Sequence, residues 1–312
     1  MFDFLCNAEV IVNDVAIAEK VFVDALGFPE TRPSWSNKEP GSGFTYLFAR
    51  VHPSLLVSPT RVEAMALAPI DPAADPTTTL PFLSKLLSAQ GDRPWKTHAN
   101  EFATSDIGTV AERLRQNGCA FYDMPGVFTR LWLGWTAENP GAYQPEADGG
   151  LFIEVIESRA LGKGPELWEP RPDPDLPPGS MIRVLRRSWI TEDLEFTLAA
   201  LGRNFGFVPA LGPELDADLG ARRAVFRFKV PSSAELEILE PVSAGEVKDS
   251  LYTWGPGSWA IRIAVNDVAA KADDLRRRGT AFEERPTAFD GTVLRVDTGS
   301  LDVPGLFEFA KV

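Results

Sequence analysis

The sequence predicts an α+β fold made of four βαβββ modules, and three observations carry that prediction. Four segments repeat one grammar, an alternating apolar strand, an Asp at the turn, an amphipathic stretch and then a Gly. They read NAEVIVNDVAIAEKVFVDALGF from Asn7, ANEFATSDIGTVAERLRQNGCAF from Ala99, RRSWITEDLEFTLAALGRNFGF from Arg186 and AIRIAVNDVAAKADDLRRRGTAF from Ala260. The steps from Asp14 to Gly27, Asp106 to Gly118, Asp193 to Gly206 and Asp267 to Gly279 are 13, 12, 13 and 12 residues, an alternation that marks one pair of modules duplicated. Strand-like runs separated by turn residues follow each Gly.

Each element has a local reason. The four Asp carboxylates are placed to accept from the free N–H groups of a first helical turn. The four glycines stand where a helix stops, because Gly enters the left-handed C′ conformation without Cβ strain. The runs after the helices are FTYLFARV and SLLVSP, RLWLGWTA and GLFIEVIES, ARRAVFRFKV and ELEILEP, then TVLRVDTG and GLFEFAKV. Residues 69–95 insert a Pro-rich loop and a short helix over Leu80 to Ala89. A Pro-rich stretch at 158–180 reads as a semi-rigid linker. The expected division is a first domain at 1–160 (modules about 4–68 and 96–158), a linker at 161–180 and a second domain at 181–312 (modules about 181–241 and 257–312).

Composition narrows the function. The 312 residues carry a net charge of −13, which repels phosphate backbones and anionic lipid, so neither nucleic acid nor a membrane is expected as a partner. Apolar content of 44% with 24% charged residues is that of a soluble globular protein. Cys6 and Cys119 cannot build a disulfide scaffold, no run of about 18 apolar residues occurs, and the first residues lack a basic leader, so a cytoplasmic location is expected. With His52 and His98 the only imidazoles, a three-histidine metal centre is excluded and any metal must lean on carboxylates. No phosphate-cradling Gly-rich motif and no Cys-x-x-Cys pair is present.

The motifs VNDV…ALGF, TSDI…QNG, TEDL…NFGF and VNDV…RRG, with the endings GLFIEVIES and DVPGLFEFAKV, resemble the vicinal oxygen chelate superfamily of glyoxalases, bleomycin-resistance proteins and extradiol dioxygenases. The resemblance implies that paired modules curl into half-open barrels, two in this chain. It also implies either a divalent metal that chelates vicinal substrate oxygens in isomerase, epimerase, lyase, ring-cleaving or transferase chemistry, or a metal-free pocket that sequesters a drug. Members place a metal ligand, usually His, five residues before the Val of V-x-D or its equivalent, which here is Asn7, Ala99, Arg186 and Ala260. The Glu of a module's last strand is matched by Glu154, Glu308 and Glu237, while the first module offers only the region of Leu56. The imidazoles are thus replaced while the carboxylates persist, which speaks against a two-histidine iron centre.

Strand alternation puts Glu9 and Glu101 on the face of Asn7 and Ala99, where with Glu154 they converge as the catalytic candidates. Three carboxylates in one cavity either hold a hard ion such as Mg²⁺ or Mn²⁺, or share protons at raised pKa, or pair with Arg130. Asn7, His98, Trp132 and Tyr122 are the substrate-binding candidates. His98 precedes the family position by one residue, so regular alternation turns it outward unless a bulge intervenes. Trp132 and Trp135 are expected on opposite strand faces; Trp95, Phe128, Tyr143 and Trp168 serve either as pocket walls or as core. Arg186 and Arg262 face Glu237 and Glu308, the pattern of an internal salt-bridge cluster. The expected function is a small-molecule enzyme of isomerase, lyase or dioxygenase type acting on an oxygenated, aromatic or hydrophobic substrate in the first domain. The alternative is a metal-free sequestering protein. The sheet edges of each module pair suit a homodimer.

Overall fold

The computed structural model describes residues 2–33, 42–52, 54–70, 87–88, 90–124, 130–135, 143–161, 174–287 and 289–311. After the short β1 (Phe4–Leu5), the first module comprises β2 (Asn7–Val12), α1 (Val15–Lys20), β3 (Glu30–Pro33), β4 (Ser42–Arg50) and β5 (Arg61–Ile70). The second comprises β6 (Asn100–Thr104), α2 (Ile107–Gln116), β7 (Phe121–Met124), β8 (Arg130–Leu133) and β9 (Ile153–Glu157). The third runs through β10 (Met181–Ile190), α3 (Leu194–Phe205), β11 (Leu211–Asp216), β12 (Ala221–Phe226) and β13 (Glu235–Pro241). After α4 (Glu246–Trp254), the fourth has β14 (Gly257–Val265), α5 (Val268–Arg277), β15 (Glu283–Thr287), β16 (Gly291–Asp297) and β17 (Leu306–Lys311).

The capping logic holds in all four modules. Asp14, Asp106, Asp193 and Asp267 accept from the N–H groups of Ala16, Thr109, Phe196 and Ala270. Gly27, Gly118, Gly206 and Gly279 all take positive φ. The first helix departs from expectation, because Val21–Ala25 continues α1 with a π-helical turn.

Within each module the first strand pairs in parallel with the last, giving the strand orders β2-β5-β4-β3, β6-β9-β8-β7, β10-β13-β12-β11 and β14-β17-β16-β15. In the second half, β10 and β14 pair antiparallel and fuse two modules into one eight-stranded sheet. In the first half the matching ladder is interrupted. β1 pairs with β6 and Cys6 N–H donates to Glu101, then the bond from Ile11 N–H to Lys96 resumes the run. The side chains described below occupy the gap.

One apolar core cluster runs through both halves. Phe2 packs edge-on to Phe102 and Phe207 and beside Phe205. Carbonyls near the end of the first helical segment find donors in the other half: Leu26 accepts from Lys271 Nζ at 2.7 Å and Ala25 from Thr280 Oγ1 at 2.7 Å. Such pairing satisfies the helix end while fixing one half against the other.

Two strand expectations need correction. SLLVSP is no strand: residues 55–57 form a turn, and the last strand of the first module is β5, which starts after Thr60 bonds the Leu5 carbonyl. Trp135 does not oppose Trp132 across β8, since it follows the positive-φ Gly134 beyond the strand end, and both rings are buried. Of the helix expected over Leu80 to Ala89, only Leu87 and Ser88 are described, and they are helical. Phe128, Trp168 and linker residues 162–173 lie outside the described residues.

Candidate carboxylate and histidine site

Register brings the acids together in pairs. Glu9 on β2 stands opposite Glu63 on β5, and Glu101 on β6 stands opposite Glu154 on β9. Trp132 on β8 is the next partner of Glu154, and Tyr122 on β7 is the partner of Trp132. All four carboxylates are buried, as is His98. The relation recurs in the other half, where Ser188 pairs with Glu237 and Arg262 with Glu308. Every module therefore carries a Glu at the same register of its last strand.

The first module's Glu is Glu63, which sequence reasoning missed because it took 54–59 as the last strand. The available signal was RVEAMALAPI, an uninterrupted strand-like run just beyond the Ser-Pro turn.

His98 lies before β6 begins, outside regular alternation, and the outward orientation expected of a regular strand does not hold. Its backbone N–H donates to Glu9 Oε1 at 2.6 Å, its Nδ1 contacts Glu9 Oε2, and its Nε2 lies 3.5 Å from Glu154 Oε2. The imidazole is 5.5 Å from the Trp132 ring. Ala99, expected on the inward face, packs instead in the apolar core. Trp95 Nε1 at 3.0 Å and Arg187 Nη2 at 3.3 Å hold the Glu9 carbonyl from behind.

Asn7 is engaged at both ends: its Nδ2 donates to Glu101 Oε2 at 2.6 Å and its Oδ1 accepts from Arg61 Nε at 3.0 Å. Both ends of the Asn7 amide are thereby engaged, and its Nδ2 orients the Glu101 carboxyl. Arg61 lies over the Phe48 ring, and Arg130 Nε is 3.8 Å from Glu154 Oε1. Tyr122 is half-buried beside this row.

Burial, reinforced by the neighbouring Glu101 charge, pushes the Glu63 carboxyl well above the usual carboxylate range. Burial and then the Glu154 charge also raise Glu101. Glu63 Oε2 is buried without a hydrogen-bond partner. One donor atom each from Glu9, Glu63 and His98 lie within 4.8 Å of one another. One imidazole with two carboxylates, one of them holding an orphaned oxygen, is a donor set that fits a divalent cation.

The second half fills the same register differently. Glu237 accepts from Ser188 Oγ at 2.7 Å, Arg186 at 3.3 Å and Arg223 at 3.4 Å. Glu308 accepts from Arg262 at 2.7 Å and Arg295 at 2.9 Å, and Asp290 joins Arg186 to Arg262. Burial raises the Glu237 pKa, but Arg186 and Arg262 outweigh it and hold the carboxyl below its usual range. This is the internal salt-bridge cluster that the sequence led us to expect.

No protein-family model and no curated protein matches the sequence. Among solved structures, the whole chain superposes on 93% of a triple mutant of 4-hydroxymandelate synthase from Streptomyces coelicolor, with a TM-score of 0.60 at 13% identity. The chain has the vicinal oxygen chelate fold. Shorter proteins align to part of it. Methylmalonyl-CoA epimerase from Mycobacterium tuberculosis matches 41% of this chain and 86% of its own, at 20% identity and a TM-score of 0.37. The Streptomyces coelicolor epimerase matches 43% of this chain and 100% of its own, at 22% identity and a TM-score of 0.37. The chain carries a Glu at the same register of the last strand in all four modules, and His98 stands beside those of the first two, Glu63 and Glu154. Among the described residues no helix is long and apolar enough to cross a membrane.

Proposed function

We propose that the chain is a small-molecule enzyme of the vicinal oxygen chelate type, with its site among Glu9, Glu63, His98, Glu101 and Glu154. The observation that carries this reading is the contrast between the halves. At equivalent register the second half ties each Glu to arginine, whereas Glu63 keeps a buried oxygen without a partner. An unsatisfied buried carboxylate is costly, so its retention points to a bound partner. A divalent ion held by Glu9, Glu63 and His98 answers that cost and, when bound, supplies Lewis-acid polarisation of a substrate oxygen.

The chain's own residues supply the remaining parts. Glu101, raised by burial and Glu154 and held by Asn7, is the group suited to give or take a proton. Trp132 and Tyr122 offer an aromatic wall to an oxygenated, aromatic or hydrophobic substrate. One imidazole in place of two favours proton-transfer chemistry of isomerase or lyase type over oxygen activation. In this reading residues 1–160 carry the site, and 181–312, beyond a linker at 161–180, are a structural partner.

The contact between His98 and Glu9 favours a second reading, since an ion pair between those two groups needs no metal. The chain is then a metal-free protein that sequesters a small molecule. Elemental analysis of protein purified without chelator separates the two. The enzyme reading expects a stoichiometric divalent ion in wild type, retained in Glu154→Gln and lost in Glu63→Gln. No ion after incubation with Mg²⁺, Mn²⁺, Fe²⁺ and Zn²⁺ overturns the metal site and leaves sequestration.

A further inference from the structure

Two arginines lie buried between the halves with no carboxylate against them. Arg187 on β10 is fully buried; it lies 4.6 Å from the Trp95 ring centroid and donates to Ser258 Oγ, while its Nε and Nη1 have no hydrogen-bond partner. Arg93, 3% exposed, donates to the carbonyls of Gly255 and Ser258, and its Nε has no partner. Among the described residues neither forms an ion pair with Asp or Glu. Burial lowers Arg93 to about 10, and burial together with the Arg93 charge lowers Arg187 to about 9, so both stay cationic at neutral pH.

Arg93 lines a cavity of about 580 Å³ walled by Trp95, Trp254 and Trp259, a size typical of small-molecule sites. The other cations of its lining are matched. Glu246 bridges Arg285 and Arg295, Glu283 holds Arg285 at 2.9 Å, and Asp297 accepts from the Gly299 N–H at 2.8 Å. Arg93 is the cation whose counter-charge the described residues do not supply, and Arg187 behind it adds to the same positive potential.

We propose that this cavity binds a small organic anion, its carboxylate or phosphate head on Arg93 beside Ser250 and its flat apolar body against Trp254 and Trp259. Ser250 Oγ is already within 3.4 Å of Arg93 Nη2. The Arg93 charge attracts such a head, and indole faces match an aromatic body. The site is distinct from the carboxylate cluster, and the bonds from Trp95 and Arg187 to the Glu9 carbonyl link the two.

The test is calorimetry and tryptophan-fluorescence titration with 2-naphthoate, phenyl phosphate, inorganic phosphate and the neutral isostere 2-naphthamide. The proposal expects naphthoate or phenyl phosphate to bind about tenfold more tightly than naphthamide, and Arg93→Gln to lower that affinity about tenfold. Trp254→Ala, a change at the half-exposed end of α4, weakens binding severalfold without moving Tm. Tighter binding of phenyl phosphate assigns a phosphoryl head, and tighter binding of naphthoate a carboxylate. Equal binding of acid and amide, wild-type affinity in Arg93→Gln, or binding of inorganic phosphate alone overturns the proposal. Where Arg93→Gln does not fold, the acid-to-amide ratio and Trp254→Ala decide.

Discussion

His98 grips Glu9 at two points: its backbone N–H donates to Oε1 at 2.6 Å, and its Nδ1 meets Oε2. The first of these bonds lies in the interrupted ladder between β2 and the segment before β6, so a side chain serves where a carbonyl would in a regular sheet. The second leaves the imidazole pinned between the two acid pairs, with Nε2 toward Glu154.

A divalent ion that binds the folded chain and not the unfolded one raises stability by about 2.7 kcal/mol at a hundredfold excess over Kd. Thermal unfolding with and without Mn²⁺ or Zn²⁺ therefore shows a clear rise in Tm for wild type. Glu63→Gln and His98→Gln are expected to abolish the rise, whereas Arg262→Met, in the other half, retains it. An equal rise in all four proteins would place the ion elsewhere.

The fold was legible because its signals are local and repeated. Asp14, Asp106, Asp193 and Asp267 announce helix starts through capping chemistry that needs no tertiary context. The acids Glu9, Glu101 and Glu154 were legible from alternation, since each lies within a regular strand. Glu63 and His98 were not. Glu63 depended on locating β5, and the apolar residues of 54–59 imitate a strand that turn geometry forbids. His98 sits where the strand has not yet begun, so alternation cannot say which way it points. The salt-bridge partners were legible as opposite charges at matching register, but Asp290 lies in a loop that periodicity does not reach.

The arginine cluster of the second half is held by pairing. Arg262→Met leaves Glu308 with Arg295 alone and frees Asp290 from one partner, at a cost of about 3–5 kcal/mol. Adding Glu308→Leu removes the half-paired acid, leaves Arg295 with Glu246, and is expected to recover part of that loss. Urea denaturation of the single and double variants checks it; additive losses would show that the pair does not interact.

The two halves meet closely at Gly149, where φ is +73° and a Cβ would stand 2.8 Å from Thr197 Cα. The Thr197 hydroxyl donates to the Gly149 carbonyl at 2.9 Å, so neither backbone can retreat without losing that bond. Gly149→Ala is expected to cost roughly 2–4 kcal/mol from left-handed strain and overpacking together. Gly279→Ala is the control, because its φ is +73° with nothing within 4 Å of the added Cβ. It should cost only about 1 kcal/mol. Equal losses would mean that strain alone, and not the contact, sets the effect.

Asp148 organises the turn before β9, accepting from the Tyr143 hydroxyl and from the N–H groups of Gly150 at 3.1 Å and Ile153 at 2.8 Å. Burial raises its pKa from 3.8 to about 7, although those donors pull the other way. Between about pH 4 and 7 the folded chain therefore holds a proton that the unfolded chain has released. Unfolding releases that proton, so this group's contribution falls as pH rises through that window and is flat above it. An ion-paired carboxylate behaves oppositely. Asp148→Asn removes the titration and sets an amide N–H against that of Ile153, a pH-independent loss of about 1–3 kcal/mol. Urea denaturation of both proteins from pH 5 to 8 should show the stability gap narrowing as pH rises. A gap constant across that range would mean that Asp148 is ionised throughout and that the Tyr143 hydroxyl and the two N–H groups offset its burial in full.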